Sequence, residues 1–154
     1  MKVTPKYSFE MLYVSPFTKK LGFDEKELKN VYVPIERIRH KTGMEVVDLF
    51  VDRLVANQDT QYSYWDMGLS RSELSMTMRT LTGMTPVELR TRWRTRLAGE
   101  LLRYTELPLR EVMSRCGYTS QQSFSRFIRK AFGTAPAAYR RQCRARGDVG
   151  KYAL

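Results

Sequence analysis

The stretch 68–90 resembles the stretch 117–140, and this internal repeat constrains the chain more than any other feature. Leu74 answers Phe124, Ser75 answers Ser125, Arg79 answers Arg129, Gly83 answers Gly133, Pro86 answers Pro136 and Arg90 answers Arg140, all at a spacing of 50 residues. Ahead of these pairs, Gly68-Leu-Ser70 aligns with Gly117-Tyr-Thr119, so one residue is inserted near the turn. Each copy reads as a helix, a tight turn at the glycine, a second helix, a Gly at its C-terminal end and a Thr-Pro or Ala-Pro restart. Helix, glycine turn, helix is the plan of the helix-turn-helix, whose second helix enters the DNA major groove. The plainer use of the same pattern is a duplicated helical hairpin that serves packing alone.

Capping chemistry marks four helix starts. Thr42-Gly-Met-Glu45, Ser70-Arg-Ser-Glu73 and Thr85-Pro-Val-Glu88 read as capping boxes, in which a hydroxyl accepts an orphan backbone N–H and a Glu reaches back three residues. Pro86 then sits at the first helical position, where its missing N–H costs nothing, and Pro108 precedes Leu109-Arg-Glu111. After Thr42, Val46, Val47, Phe50, Val51, Leu54 and Val55 recur at helical spacing, predicting an amphipathic helix that ends near Asn57. Residues 86–103 should form one helix, with Leu89, Trp93, Leu97 and Leu101 as its packing stripe. Its roughly 18 residues span about 27 Å, close to the roughly 34 Å between successive major-groove faces of B-DNA. Gly99 inside it costs about 1 kcal/mol relative to Ala, which fits a close approach by another helix.

Net charge locates the partner surface. The chain has 154 residues and a formal charge of +11, of which residues 1–57 carry +2 and residues 58–154 carry +9. Basic type changes as well, from 7 Lys and 3 Arg in the first part to 2 Lys and 15 Arg in the second. Arg has the planar fork that suits phosphates and guanine edges, so the basic half points to nucleic acid; a solvated Arg-rich surface is the plainer alternative. Like-charge pairs Arg90/Arg94 and Arg92/Arg96 at i,i+4 fit an anionic neighbour or simple solvation.

Other classes are excluded by what the residues lack. A 42% hydrophobic content is enough for a core, while no apolar run approaches the roughly 20 residues of a membrane span. Residues 1–7 lack a secretory apolar stretch, so the expected location is the cytoplasm. Cys116 and Cys143 read as reduced thiols, Cys116 buried, and with His40 as the single, exposed histidine they supply neither a disulfide framework nor a zinc site. With no phosphate-cradling glycine loop and one histidine to serve as base, no enzyme, no metal and no cofactor is expected.

Residues 109–140 carry a family likeness: an aliphatic first helix, a Gly117-Tyr118 turn, Phe124-Ser-Arg126-Phe-Ile-Arg-Lys130, and Gly133-Thr-Ala-Pro136-Ala-Ala-Tyr139-Arg140. Arg94, Ala98, Leu101 and Leu102 add the linker pattern. Over about 100 residues, 43–142, the chain resembles the DNA-binding domain of the AraC/XylS family of bacterial transcription regulators. The resemblance implies an all-α fold, two helix-turn-helix subdomains joined by a long linker helix, preceded here by a short N-terminal extension. Helix-turn-helix units would lie at about 60–83 and 109–133, within a domain at 42–142 flanked by an extension at 1–41 and a tail at 143–154. Tyr64 and Met113 stand where the family's first helices usually have a small Ala, so that contact must be repacked.

By resemblance, Gln121, Gln122, Ser123 and Arg126 face the bases in the second unit, with Ser125 beside them, and Ser72, Ser75 and Met76 match in the first, flanked by Arg71. Gln suits adenine N6/N7 and Arg suits guanine O6/N7, whereas Met76 bonds no base edge and can only pack on a thymine methyl. The second unit is therefore expected to carry most discrimination. Arg71, Arg79, Arg129 and Lys130 are the phosphate candidates.

Residues 1–41 are too short for a sensor domain, so no small-molecule effector domain is expected, and the match is to short stand-alone relatives. A short helix is expected at Asp24 to Asn30. The aromatic cluster Tyr7, Phe9, Tyr13 and Phe17 either packs on the helical domain, the favoured reading, or presents an apolar patch to RNA polymerase or a second copy. The expected function is sequence-specific binding of double-stranded DNA, as a monomer, to regulate transcription, with RNA polymerase recruited by an activator. The alternatives are an architectural or nonspecific DNA binder and an interaction module that titrates another regulator.

Overall fold

A computed structural model describes residues 5–57, 68 and 70–154 of the chain. The chain divides into two compact units, one built from Met1–Val14 and Ile38–Arg94, the other from Ser15–Arg37 and Thr95–Leu154. Among the described residues there are seven helices and a three-stranded sheet. None of these helices is long and apolar enough to cross a membrane.

In the first unit, α1 (Phe9–Leu12), α2 (Glu45–Val55), α3 (Arg71–Thr82) and the start of α4 (Pro86–Tyr104) enclose one core. Phe9, Leu12, Phe50, Val51, Met78, Leu89 and Trp93 are buried in it. Three of the N-terminal aromatics, Tyr7, Phe9 and Tyr13, belong to this core: Phe9 stacks on Tyr13 at 5.4 Å, and Tyr13 meets Trp93 edge-on at 4.9 Å. Tyr7 is tied down at both ends, its N–H donating to the Leu81 carbonyl and its hydroxyl to that of Thr42. The expected first helix of the first helix-turn-helix, with Tyr64, lies outside the described residues.

Helix α2 starts two residues later than the Thr42 box predicts, with Met44 as its N-cap. Gly43 takes φ +82 and swings the chain, so the Thr42 hydroxyl reaches Asp48 at 2.9 Å rather than the N–H of Glu45. Asp48 instead fastens the approach to the helix, accepting from the backbone N–H of Thr42 and Gly43, and no side chain caps α2 itself. The Thr85 box forms as predicted: Glu88 N–H donates to the Thr85 hydroxyl at 3.2 Å, and Thr85 N–H to the Glu88 carboxylate at 3.1 Å.

In the second unit, the end of α4, α5 (Leu109–Arg115), α6 (Gln121–Phe132) and α7 (Pro136–Ala145) surround Ala98, Leu101, Leu102, Val112, Cys116, Phe124 and Ile128. Gly99 is the close approach its cost suggests: a Cβ there would lie 3.0 Å from Phe132 Cζ. The 19-residue helix α4 thus gives Leu89 and Trp93 to one core and Leu101 and Leu102 to the other.

An all-α fold is not what forms. β1 (Lys19–Asp24) and β2 (Lys29–Pro34) make an antiparallel hairpin, with Leu21 opposite Tyr32, and β3 (Tyr152–Ala153) pairs with the other edge of β1. The helix expected at Asp24 to Asn30 is the hairpin turn. Asp24 is followed by charged residues that look like a helix start, yet its carboxylate caps the turn, accepting from Lys26 N–H at 2.9 Å and Glu27 N–H at 3.3 Å. Leu28, at φ +53, closes it. The flanking Val31, Tyr32 and Val33 favour a strand through β-branched and aromatic side chains. The C-terminal tail is likewise built in, as Phe17 and Tyr104 pack on Tyr152 and the buried Asp148 binds Arg103 and Lys151, each at 2.8 Å.

Candidate nucleic-acid interface

Helix α6 owes its position to its ends and its buried face. Ser120 caps it, its hydroxyl accepting from Ser123 N–H at 3.3 Å, and Gly133 ends it at φ +78, donating to the Arg129 carbonyl. Gly117, at φ +82, turns the chain between α5 and α6, and Tyr118 N–H closes the turn on the Met113 carbonyl at 3.1 Å. Phe124 and Ile128 are buried, and Tyr118 stacks on Phe127 at 5.0 Å. These contacts leave the opposite side of the helix to solvent. Gln121, Gln122, Ser123, Arg126, Arg129 and Lys130 are exposed and Ser125 is half-buried. At helical spacing Gln122, Ser125, Arg126 and Arg129 form one stripe.

Helix α3 has the same frame. It too has 12 residues, a Ser N-cap accepting from the third residue's N–H, and a C-terminal Gly with positive φ. From Arg71 to Thr80, exposed, half-buried and buried residues follow in the same order as from Gln121 to Lys130. Leu74 and Met78 occupy the buried places of Phe124 and Ile128. Ser72, Ser75, Met76 and Arg79 accordingly fall on the outward stripe, with Arg71 exposed beside them and Met76 71% exposed. All the sequence-predicted site residues therefore gather on the outer faces of two equivalent helices.

The two faces differ in charge. Helix α6 carries Arg126, Arg129 and Lys130 with no acid, whereas α3 carries Arg71 and Arg79 against Glu73. The difference extends around α6: from Val112 to Gly147 the chain has eight Arg and Lys and no Asp or Glu. A surface so composed is chemically suited to a polyanion.

Two residues of the repeat gain a role in the structure. Arg140, paired with Arg90 in the repeat, is buried, and its guanidinium donates to the Leu102 and Leu107 carbonyls. Burial, and then the nearby charge of Arg144, lower its pKa, opposed by Glu106. It holds the chain before α5 rather than facing solvent. Ser120, not Thr119, is the partner of Ser70, and extending the 50-residue register backwards finds it.

A short α5 anchored by the buried Val112, a glycine turn and a capped, polar-faced α6 define a helix-turn-helix protein. The family profile described as a helix-turn-helix domain matches residues 66–142. The regulatory protein SoxS of Salmonella typhimurium is 40% identical over 73 residues, covering 47% of this chain and 68% of SoxS. The probable transcriptional regulator LumQ of Photobacterium leiognathi is 27% identical over 118 residues, covering 76% of this chain. The chain spans less than half of LumQ, 43% of its length. Among solved structures, the C-terminal domain of AraT, a response regulator from Geobacillus stearothermophilus, is similar with a TM-score of 0.57 and 28% identity, over 66% of this chain and 88% of that one. The chain belongs to the AraC/XylS family of transcription regulators.

Proposed function

We propose that the chain is a sequence-specific DNA-binding regulator that uses two helix-turn-helix units in adjacent major-groove segments. The observation that carries this reading is the common frame of α3 and α6, which have equal length, matching caps and the same order of burial, with their polar stripes left open. In α6, Gln121, Gln122, Ser123, Ser125 and Arg126 read base edges, while Arg129 and Lys130 bind phosphates. In α3, Ser72, Ser75 and Met76 take the base-facing places and Arg71 and Arg79 the phosphates. Because Met76 stands where α6 has Arg126, the second unit carries most of the discrimination.

With two reading helices in one chain, the protein binds an asymmetric site as a monomer and activates transcription by contact with RNA polymerase. Selection of sites from a random DNA pool at about 150 mM salt tests the reading, since weak backbone contacts are partly screened there. Two enriched sequence blocks about one helical turn apart are expected. A single block would make the first unit a backbone clamp, and binding without enrichment would leave an architectural protein.

A further inference from the structure

A cavity of about 430 Å³ opens beside the reading helix of the second unit. Leu109, Met113, Phe124 and Pro136 supply its apolar wall, with Phe124 and Pro136 buried and the other two half-buried. Arg110, Thr119, Gln121 and Ser125 supply its polar groups, Ala135 and Ala137 complete the lining, and no acidic residue contributes to it. The volume lies within the range of small-molecule pockets, which pair an apolar lining with a few placed polar groups.

Arg110 is the one charged group of this lining, and it is exposed. Among the described residues its guanidinium makes no ion pair, and the neighbouring Glu111 is engaged by Arg115 at 3.1 Å. A cation without a carboxylate partner at the mouth of an apolar cavity complements a ligand with an apolar body and one anionic group. A DNA phosphate would use Arg110 but would leave the side chains of Leu109, Met113 and Phe124 without a partner.

We propose that this cavity binds a small amphipathic anion, an apolar ring system carrying one carboxylate or sulfonate, and that its occupation competes with DNA. The regulatory half rests on the DNA-reading role proposed for α6: Gln121 and Ser125 line the cavity and also lie among the residues proposed to face the bases. A ligand seated there holds the two side chains away from the groove. Regulation by a metabolite is thereby placed inside the reading unit itself.

The test uses the full chain without DNA, with 1-anilinonaphthalene-8-sulfonate as fluorescent probe and 1-naphthoate as competitor, against the uncharged 1-naphthalenemethanol. Saturable binding at one site is expected, displaced by naphthoate and at least about tenfold less well by the alcohol, the worth of one charge-assisted hydrogen bond. Arg110→Ala should weaken the probe by a similar factor. Ala137→Trp, at an exposed lining position outside the core, should abolish binding while the far-UV spectrum stays unchanged. Saturating naphthoate should then lower DNA affinity about tenfold or more.

Non-saturable fluorescence, or saturable binding that neither variant alters, overturns the site. Ligand binding that leaves DNA affinity unchanged overturns the competition. If the protein binds ligand as expected but shows no DNA affinity at any salt, the reading of α6 has failed and the cavity assignment stands.

Discussion

Replacing Arg126 with Ala isolates a single contact to DNA. The residue is exposed on α6, and among the described residues its guanidinium has no ion-pair partner; α6 itself contains no acid. Ala is the strongest helix former, and a surface change of this kind stays within about 0.5 kcal/mol in stability. The free protein therefore loses almost nothing, and any change in affinity belongs to the complex. A bidentate Arg–guanine contact is worth about 1–3 kcal/mol, so the selected site should bind about 5- to 150-fold more weakly. Fluorescence anisotropy at about 150 mM salt, on that site and on each single-base variant, checks this. The variant should lose preference at one base pair and keep it elsewhere. Equal weakening on every sequence would make Arg126 a phosphate contact, and no weakening would remove it from the interface.

Arg129→Ala, by contrast, should weaken all sequences alike and reduce the salt slope of log K by about one, read from the same titrations at several salt concentrations. Ser120→Ala removes the hydroxyl that accepts from Ser123 N–H, and urea unfolding should show a loss of about 1 kcal/mol. Gly99→Ala gains about 1 kcal/mol of helix propensity but sets its Cβ 3.0 Å from the Phe132 ring, where overpacking costs about 1–3 kcal/mol. A net loss is expected, turning into a gain in a Phe132→Ala background; a gain with Phe132 present would mean that the ring gives way freely. Hydrogen bonds from Lys151 and then Arg103 hold the Asp148 carboxyl below the usual carboxylate range. Its stabilisation is therefore complete above the unfolded value of about 3.9 and lost as pH falls through the lower native value; acid unfolding followed by circular dichroism should show a flatter profile in Asp148→Asn.

Most of the longer helices were legible because they announce themselves locally, whereas the four-residue α1 carried no signal that was read. The Thr85 box and the glycines at 83 and 133 are short-range signals, and the structure uses them as read. What escaped the sequence depends on partners distant along the chain. Asp24-Glu-Lys-Glu27 has the local chemistry of a helix start, and only the pairing of 19–24 with 29–34, extended by Tyr152 and Ala153, decides for a turn. The Thr42 box failed through one residue, because Gly43 in the left-handed region lengthens the approach, and Asp48 binds Thr42 and Gly43 ahead of the helix. The sequence marks Arg140 only as the repeat partner of Arg90, since nothing in its neighbourhood along the chain points to the carbonyls of Leu102 and Leu107 as its partners.

The two copies separate frame from face. Where they are identical, several shared residues serve the frame: the capping serines at 70 and 120, the terminating glycines at 83 and 133, and the prolines that restart a helix at 86 and 136. Where the outward stripe differs, Ser72 stands against Gln122 and Met76 against Arg126, so the two helices present different hydrogen-bonding groups from the same scaffold. Ser75 and Ser125 also match, and so do two exposed cations, Arg79 and Arg129. Both lie in the last turn of their helices, where a cation also offsets the helix dipole. A phosphate contact explains why they match, since phosphates lie at every step of the duplex and carry no sequence. A base contact is free to differ between half-sites, and two of the three proposed base-reading places on the stripe do differ, Ser72 against Gln122 and Met76 against Arg126, while Ser75 and Ser125 agree.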